Sequence, residues 1–257
     1  MSKDRLDVLV AERGLVESRE QAQRLIRAGQ VFVNGQVADK PGHKHDNTVD
    51  IEIKEKQRFV GRGGEKLEAA FDAFELDVHD KTCLDIGSST GGFTDCLLQH
   101  GASKVYAVDV GKGQLHWKLR NDPRVIVMEN INARYLKPDD LPEKPFFCVI
   151  DVSFISLTKI LPAVIQVLSE NAHIVTLIKP QFEAGRKQVE KGGVVRDPEI
   201  RQQVIDKVKQ FGVERLGLEW LEVYESPLKG PAGNVEFLAL WKKESLAENA
   251  EGRVRGK

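Results

Sequence analysis

Short apolar runs alternate with amphipathic segments along most of this 257-residue chain, from Lys81 onward. A continuous apolar run is typical of a parallel strand buried on both faces, and the segments between these runs have helical spacing. Two later runs, 216–224 and 235–241, predict an antiparallel pair that closes the sheet. The pattern therefore predicts an α/β fold with an open, doubly wound sheet. The predicted parallel strands are 83–86, 105–108, 125–128, 146–150 and 174–178.

A separate small module precedes this sheet. Residues 18–21 read Ser-Arg-Glu-Gln, a capping box that starts a helix, and Gly29 is placed to end it. Asn34-Gly35 lies between two β-branched runs, which is the strongest short signal for a hairpin. With a preceding helix and a final strand around Ile51, these features predict a small α+β domain over residues 1–54.

Composition predicts the other boundaries. Residues 55–62 are charged and lack periodicity, so they are expected to form a linker. The sheet domain is expected over residues 63–242. Residues 243–257 are polar and rich in Glu, Arg and Gly, which predicts a disordered tail.

Composition also excludes several classes of protein. No apolar stretch approaches the roughly 18 residues of a membrane span, and the first residues lack the core of a signal peptide. The cysteines Cys83, Cys96 and Cys148 form no Cys-x-x-Cys pair, and their odd number fits a reducing compartment. We expect a cytoplasmic protein with no membrane partner and no metal site. The net charge of −1 leaves a nucleic-acid partner open, because basic residues can still cluster on one face.

Four ionisable residues lie at the ends of predicted strands: Asp85 near the end of the first, and Asp109, Asp151 and Lys179 at the ends of the second, fourth and fifth. A single aspartate in such a position is more often a helix cap. Ligands of doubly wound sheets bind outside the carboxyl ends of the strands, where these four side chains would meet. The set therefore predicts a binding site at this edge.

The first of these strands leads into a glycine-rich turn, Asp85-Ile86-Gly87-Ser88-Ser89-Thr90-Gly91-Gly92. It matches neither the dinucleotide pattern G-x-G-x-x-G nor the phosphate loop, because no lysine follows the glycines. Asp109 lies 22 residues after Gly87, where an acid can accept both hydroxyls of an adenosine ribose. The combination resembles the S-adenosylmethionine motif of class I methyltransferases. It implies cofactor binding by Asp85, Gly87, Ser88, Ser89, Gly91, Gly92, Phe93, Asp109, Asn132 and Asp151, with Asn132 at the adenine edge.

The second helix of the small module presents several basic and amide side chains on one side. This face fits a solvated surface of a dimerisation or spacer domain, and it equally fits contacts to the phosphates and riboses of structured RNA. Charge pattern alone does not separate the two. The stretches Arg5-Leu6-Asp7, Ser18 to Ala22, Ile26 to Gly29 and Val31 to Gly35 resemble the αL RNA-binding module named after a small-subunit ribosomal protein. The resemblance implies RNA contacts by Arg5, Ser18, Arg19, Gln23, Arg24, Arg27, Asn34 and Lys40.

Candidates for the chemistry are two lysines and two carboxylates: Lys66, Asp151, Lys179 and Glu236. A lysine held beside a second cation can act as a base toward a hydroxyl. The same four residues could instead form two structural salt bridges. The Asn-Pro-Pro-Tyr motif of amino-methylating enzymes does not follow the fourth strand, where the chain reads Asp151-Val152-Ser153-Phe154.

Five segments together resemble the TlyA family, in which an αL module precedes an FtsJ-like methyltransferase domain. They are residues 63–67, 85–96, 151–157, 179–183 and 230–237. The resemblance implies the seven-stranded, Rossmann-like methyltransferase sheet and S-adenosylmethionine-dependent ribose 2′-O-methylation of a cytidine in ribosomal RNA, with ribosomal subunits as partners. The catalytic tetrad of the FtsJ-like enzymes falls on Lys66, Asp151, Lys179 and Glu236. Lys179 is then the expected base, Asp151 orients it and the donor, and Lys66 and Glu236 position the ribose.

Two other functions remain to be weighed against this one. The family's historical label, hemolysin A, suggests a cytolysin, but the sequence contains neither a strongly amphipathic membrane helix nor an export signal. A non-catalytic RNA-binding protein with a vestigial methyltransferase fold would not need the complete tetrad.

Overall fold

The computed structural model describes residues 3–53 and 58–244, and it divides the chain into two compact units. The first unit ends at Arg58 and the second begins at Phe59.

The first unit is a small α+β domain, as predicted. Leu6, Leu9 and Val10 pack with Ala22 and Ile26 into one buried cluster beneath the strands. The elements are β1 (Lys3–Arg5), α1 (Leu6–Glu12), α2 (Arg19–Arg27), β2 (Val31–Val33), β3 (Gln36–Val37), β4 (Lys44–Asp46) and β5 (Ile51–Ile53). The hairpin and the final strand form a three-stranded sheet in the order β3-β2-β5, and β1 pairs with β4 in a separate ribbon.

The start of α2 differs from the predicted capping box in one of its two bonds. Ser18 Oγ accepts a hydrogen bond from the backbone N–H of Gln21 at 3.2 Å, as expected of an N-cap. The side chain of Gln21 accepts from the backbone N–H of Glu17 instead of that of Ser18. The cap is therefore formed, and its reciprocal bond reaches one residue further back.

The second unit contains the predicted doubly wound sheet. Its elements are α3 (Gly63–Phe74), β6 (Thr82–Ile86), α4 (Gly92–Gln99), β7 (Lys104–Val108), α5 (Trp117–Arg120), β8 (Val125–Met128), β9 (Phe147–Ile150), α6 (Leu161–Val167), β10 (His173–Ile178), α7 (Pro180–Glu183), α8 (Pro198–Gln210), β11 (Leu218–Glu225) and β12 (Phe237–Lys243). All seven predicted strands are present, and their ends lie within two residues of the predicted ones.

The strand order is β11-β12-β10-β9-β6-β7-β8. Strands β6 to β10 are parallel, whereas β12 runs antiparallel to both β10 and β11. Buried clusters cover both faces of the sheet, which explains why its strands are apolar throughout. The chain adds strands in one direction from β6 to β8 and in the opposite direction from β9 to β10, so the strand order reverses between β6 and β9. At such a switch point a crevice forms outside the carboxyl ends of the strands.

The predicted linker and tail are only partly described. Residues 55–57 of the linker and 245–257 of the tail lie outside the described residues. Phe59, which was expected in the linker, is 4% exposed and packs in the core of the second unit. The backbone N–H of Val60 donates to Asp95 at 2.9 Å, so the packed part of this unit begins before α3. Among the described residues, every helix is too short or too polar to cross a membrane.

Candidate active site

A cavity of about 840 Å³ opens at the switch point between β6 and β9. Several of the predicted cofactor-binding residues line it, including Gly87, Ser89, Asp109, Asn132 and Asp151. Apolar side chains of the strand ends and of the loop after β9 complete the wall. The cavity has the size and mixed lining of a site for a nucleoside-sized ligand.

The floor of the cavity requires a glycine. Gly87 has a φ of +86°, and a Cβ added there would lie 2.3 Å from the carbonyl oxygen of Asp151. The turn after β6 therefore lies directly against the backbone at the end of β9. No side chain fits between these two segments, which leaves the backbone accessible to a ligand.

Asp109 holds two loops of the cavity in place. Its carboxylate accepts the backbone N–H of Ser89 at 2.8 Å and that of Gly111 at 2.7 Å. A carboxylate has about four acceptor positions, so two remain for a ligand. Asn132 caps the short turn that follows β8 by accepting the backbone N–H of Arg134 at 3.2 Å, and its amide group also lines the cavity.

Asp85 is fully buried at the end of β6, behind the glycine-rich turn. Thr94 donates to its Oδ2 at 2.6 Å, whereas its Oδ1 has no hydrogen-bond partner among the described residues. Burial, with the nearby carboxylates of Asp151 and Asp109, raises the pKa of Asp85 to about 7 against the hydrogen bond from Thr94. An unpaired buried carboxylate oxygen is costly unless a donor or a cation occupies the space beside it.

The four candidate catalytic residues form two ion pairs. Lys179 Nζ lies 2.5 Å from Asp151 Oδ1 and donates to Ser153 Oγ at 3.0 Å. Lys66 Nζ donates to Glu236 Oε2 at 2.5 Å, and both of these side chains are almost completely buried. Glu236 lies just before β12 and not within it. Of the four residues, Asp151 lines the cavity itself.

Five predicted cofactor contacts do not line the cavity: the buried Asp85 described above, and Ser88, Gly91, Gly92 and Phe93, all of which are also buried. Gly91 has a φ of +99° and packs against Leu119, which leaves no room for a side chain. Phe93 belongs to the core on one face of the sheet. These residues therefore shape the turn by packing against the core, and their contact with a ligand remains a prediction.

Sequence reasoning missed the side chains that fix the loop after β9. Glu183, which is 3% exposed, accepts Ser156 Oγ at 2.6 Å and the backbone N–H of Leu157 at 2.6 Å. Its own helix, α7, follows Lys179 directly, so one carboxylate ties the two segments of the site together. Glutamate in this position shows no spacing or periodicity that would have singled it out.

Phe154 is another residue that the sequence did not identify. Its side chain is 91% exposed at the mouth of the cavity, and its ring centroid lies 5.0 Å from that of Phe182. Its φ of +63° is rare for a bulky residue. An exposed aromatic ring held in a strained backbone conformation is typical of a ligand contact.

The predicted RNA-binding residues of the first unit fall into two groups. Arg5, Arg19 and Gln23 all donate to the buried carboxylate of Asp7, at 2.7–3.1 Å. Burial alone would raise the pKa of Asp7, but these hydrogen bonds outweigh it and hold the pKa well below its usual range. Ser18 caps α2, and Asn34 accepts the backbone N–H of Asp50 at 3.0 Å. Arg5 and Arg19 are 44% and 48% exposed but ion-paired with Asp7, whereas the exposed Arg24, Arg27 and Lys40 form no ion pair with a described residue.

The strand order, the antiparallel last strand and the cavity at the switch point define a class I methyltransferase. The chain belongs to the FtsJ-like methyltransferase family, whose model matches residues 59–243. An S4 domain matches residues 4–45. These matches confirm the predicted fold and the predicted pairing of the two domains.

Similar proteins cover almost the whole chain. The 16S/23S rRNA (cytidine-2′-O)-methyltransferase TlyA of Mycobacterium tuberculosis (strain ATCC 25618 / H37Rv) is 46% identical over 96% of this chain and 93% of its own length. Hemolysin A of Brachyspira hyodysenteriae is 48% identical over 91% of this chain and 98% of its own length. A solved structure of a hemolysin-labelled protein from Streptococcus thermophilus is 49% identical, with a TM-score of 0.73 and coverage of 95% of this chain and 90% of that one. The predicted resemblance to the TlyA family is thereby confirmed.

Proposed function

We propose that this protein is an S-adenosylmethionine-dependent methyltransferase that methylates the ribose 2′-hydroxyl of a cytidine in ribosomal RNA. The observation that carries the proposal is the pair of Lys179 with Asp151 at the edge of the cavity, which provides an amine beside the space for a methyl donor. The name of the M. tuberculosis relative supports the substrate class.

The residues of the cavity fit S-adenosylmethionine. The unpaired Oδ1 of Asp85 lies behind the turn at Gly87, whose lack of a side chain lets a ligand approach the backbone. Asp109 has free acceptor positions for two ribose hydroxyls, and Asn132 has an amide for the edge of an adenine. When it is bound, this donor supplies a methyl group made electrophilic by its sulfonium.

The residues of the chain then have to align and deprotonate a ribose hydroxyl. Lys179 is the base in this proposal, with its amine oriented by Asp151 and by the hydroxyl of Ser153. Lys66 and Glu236 form a nearly buried, neutral pair that can hold the ribose without adding net charge.

The first unit supplies RNA affinity in this proposal. The side chains of Arg24, Arg27 and Lys40 are exposed and form no hydrogen bond or ion pair with another described residue, so they are available to phosphates. Structured RNA is recognised largely by shape and backbone contacts, which rigid helices and hairpin tips can provide. The match to the S4 domain supports this assignment.

The experiment that tests the proposed function is methylation of isolated ribosomal subunits with a labelled donor, followed by mapping of the modified ribose. The expected product carries one label on a cytidine 2′-oxygen. Label on a base, or no label with either subunit, would overturn the proposal.

Replacement of Asp109 with alanine should weaken donor binding. Loss of hydrogen bonds to a charged acceptor costs about 1.5–3 kcal/mol, which corresponds to roughly a 10- to 150-fold rise in Kd. Calorimetric titration with the donor measures this change. The exposed Asp72 of α3 offers a matched control, since Asp72→Ala should leave the Kd unchanged. Equal affinities of Asp109→Ala and wild type would remove Asp109 from the site.

Asp85→Asn should make the protein more stable above neutral pH and should impair donor binding. Because the folded-state pKa is raised to about 7, ionisation of Asp85 disfavours the folded state, and stability is lost as the pH rises from the unfolded pKa through the folded one. Asparagine does not ionise, so the variant keeps this stability. The wild-type loss in the free energy of unfolding is roughly 1.4 kcal/mol for each pH unit over that range.

Denaturant unfolding at about pH 5 and about pH 8 measures the effect, and the advantage of Asp85→Asn should be larger at the higher pH. Asp80→Asn is the control, because the Asp80 side chain is 83% exposed. If the stability of Asp85→Asn follows that of wild type in parallel at every pH, Asp85 does not titrate as described.

Phe154→Ala should lower the rate on RNA and leave donor binding intact. A base that stacks on an aromatic ring gains about 1–3 kcal/mol, and the ring of Phe154 is exposed beside Ser153 and Lys179. The measurement is kcat/KM for the RNA substrate. Tyr224→Ala, which removes an exposed ring from β11, should behave as wild type. The same result for Phe154→Ala would exclude a stacking role.

Two alternatives give different outcomes in these assays. A cytolysin is suggested by the name of the Brachyspira relative, and it would lyse cells whether or not Lys179 is intact. A non-catalytic RNA-binding protein would fail to bind the donor in calorimetry. The cavity and the complete set of four candidate residues favour the enzyme.

A further inference from the structure

Three side chains with metal-binding atoms meet between α3 and α4, outside the cavity. Cys96 and His100 are four residues apart, so they lie on one side of α4 and its C-terminal end, and Glu68 faces them from α3. Their ligand atoms lie within 4.8 Å of one another. Glu68 Oε2 is 2.7 Å from His100 Nε2 and 3.6 Å from Cys96 Sγ.

The donor set is the one that zinc prefers. Thiolate sulfur, imidazole nitrogen and carboxylate oxygen all bind Zn²⁺, at about 2.0–2.3 Å, so tetrahedral ligands lie roughly 3.3–3.8 Å apart. The distance from Cys96 to Glu68 already has this value. A small separation of Glu68 from His100, whose side chains are 20% and 27% exposed, would admit the ion.

The surroundings hold the imidazole in position. The ring of His100 stacks on Phe71 of α3, with centroids 3.8 Å apart and planes 8° from parallel. Cys96 is fully buried, whereas the partial exposure of Glu68 and His100 leaves one side open to water. Three protein ligands with an accessible fourth position make a complete tetrahedral site.

We propose that Glu68, Cys96 and His100 bind one Zn²⁺ ion, with water as the fourth ligand. The site joins two helices that serve the cavity: α3 carries Lys66 two residues before Glu68, and α4 begins at the end of the glycine-rich turn. Its role is to fasten these helices together, and it is independent of the substrate of the enzyme. Because the thiol must lose its proton to bind, affinity falls as the pH decreases.

The test is a titration of the full chain, without an affinity tag and with reduced thiols, with Co²⁺ as the spectroscopic probe. We expect one Co²⁺ per chain, a thiolate-to-cobalt charge-transfer band in the near ultraviolet, visible bands of tetrahedral intensity, and loss of all of them when Zn²⁺ is added. Cys96→Ala should abolish the charge-transfer band. Glu68→Gln and His100→Gln should each weaken binding by at least tenfold.

Matched controls separate this site from other metal-binding groups. Cys83→Ala removes a buried thiol from β6, and His43→Ala disrupts the His43–His45 pair of the first unit; both should keep the band. If Cys96→Ala does not fold, the Glu68→Gln and His100→Gln variants, whose side chains are only partly buried, still test the proposal. Protection of Cys96 from alkylation by Zn²⁺, measured by mass spectrometry, gives a second readout on the wild-type chain.

A wild-type chain that binds no Co²⁺ would overturn the proposal and leave a plain hydrogen bond between Glu68 and His100. So would a charge-transfer band that survives Cys96→Ala, or one that neither Glu68→Gln nor His100→Gln weakens. None of these outcomes depends on methylation, so a failure of the zinc proposal would leave the proposed enzyme activity unaffected.

Discussion

Lys179→Ala should reduce methylation of ribosomal RNA by about 10²- to 10⁴-fold, the usual contribution of a general base. The amine of Lys179 lies 2.5 Å from Asp151 and 3.0 Å from Ser153, which orient it at the edge of the cavity. The lysine itself does not line the cavity, so donor affinity should change little. Single-turnover rates at saturating RNA, together with calorimetric donor binding, separate the two quantities.

Lys104→Ala is the matched control. Lys104 forms an exposed ion pair with Glu143 at the start of β7, and exposed pairs contribute little to stability. The control should retain wild-type turnover. If Lys179→Ala recovers wild-type turnover at high pH, hydroxide has replaced the lysine without loss, and Lys179 is not the required base.

The second large effect is expected from Arg24→Ala combined with Arg27→Ala. Both side chains are exposed on α2, and alanine preserves the helix because it is the best helix former. Each phosphate contact that is lost removes about 0.7–0.9 from the slope of log K against log salt concentration. The double variant should therefore bind RNA more weakly at low salt and show a flatter salt dependence, with turnover recovered at high RNA concentration.

The control for this variant is Arg215→Ala combined with Lys209→Ala, which removes the same charge from exposed positions at the end of α8 and the turn after it. It should leave the salt slope unchanged. Donor affinity should remain at the wild-type value in both double variants, because none of the four residues lines the cavity. An unchanged slope for the α2 variant would contradict RNA binding through this helix.

The sheet could be predicted from the sequence because its strands are buried on both faces and therefore apolar throughout. The ribbon of β1 and β4 could not be predicted, since each strand consists of three polar residues and has no apolar periodicity. Ser18 was predicted as a cap from its local sequence, and it accepts a backbone N–H as expected.

The candidate site was predictable to the extent that it consists of strand ends. The topology of a parallel sheet brings Asp109 and Asp151 to one cavity regardless of the conformation of the loops. Glu183 and Phe154 act through loop geometry, which no short pattern encodes. The partners of Asp7 are likewise 12 and 16 residues away in sequence, so Arg19 and Gln23 looked like free surface groups.

The buried Asp7 also restricts how the first unit can evolve. Arg5 and Arg19 each neutralise a carboxylate that has no access to water, so replacing either one removes part of a folding contact along with any RNA contact. Lineages that drift at these positions would be expected to exchange Asp7 first, and the order of the changes would then be constrained by epistasis. Arg24 and Arg27 do not pair with this buried carboxylate, so they can vary when the RNA target changes without loss of a folding contact.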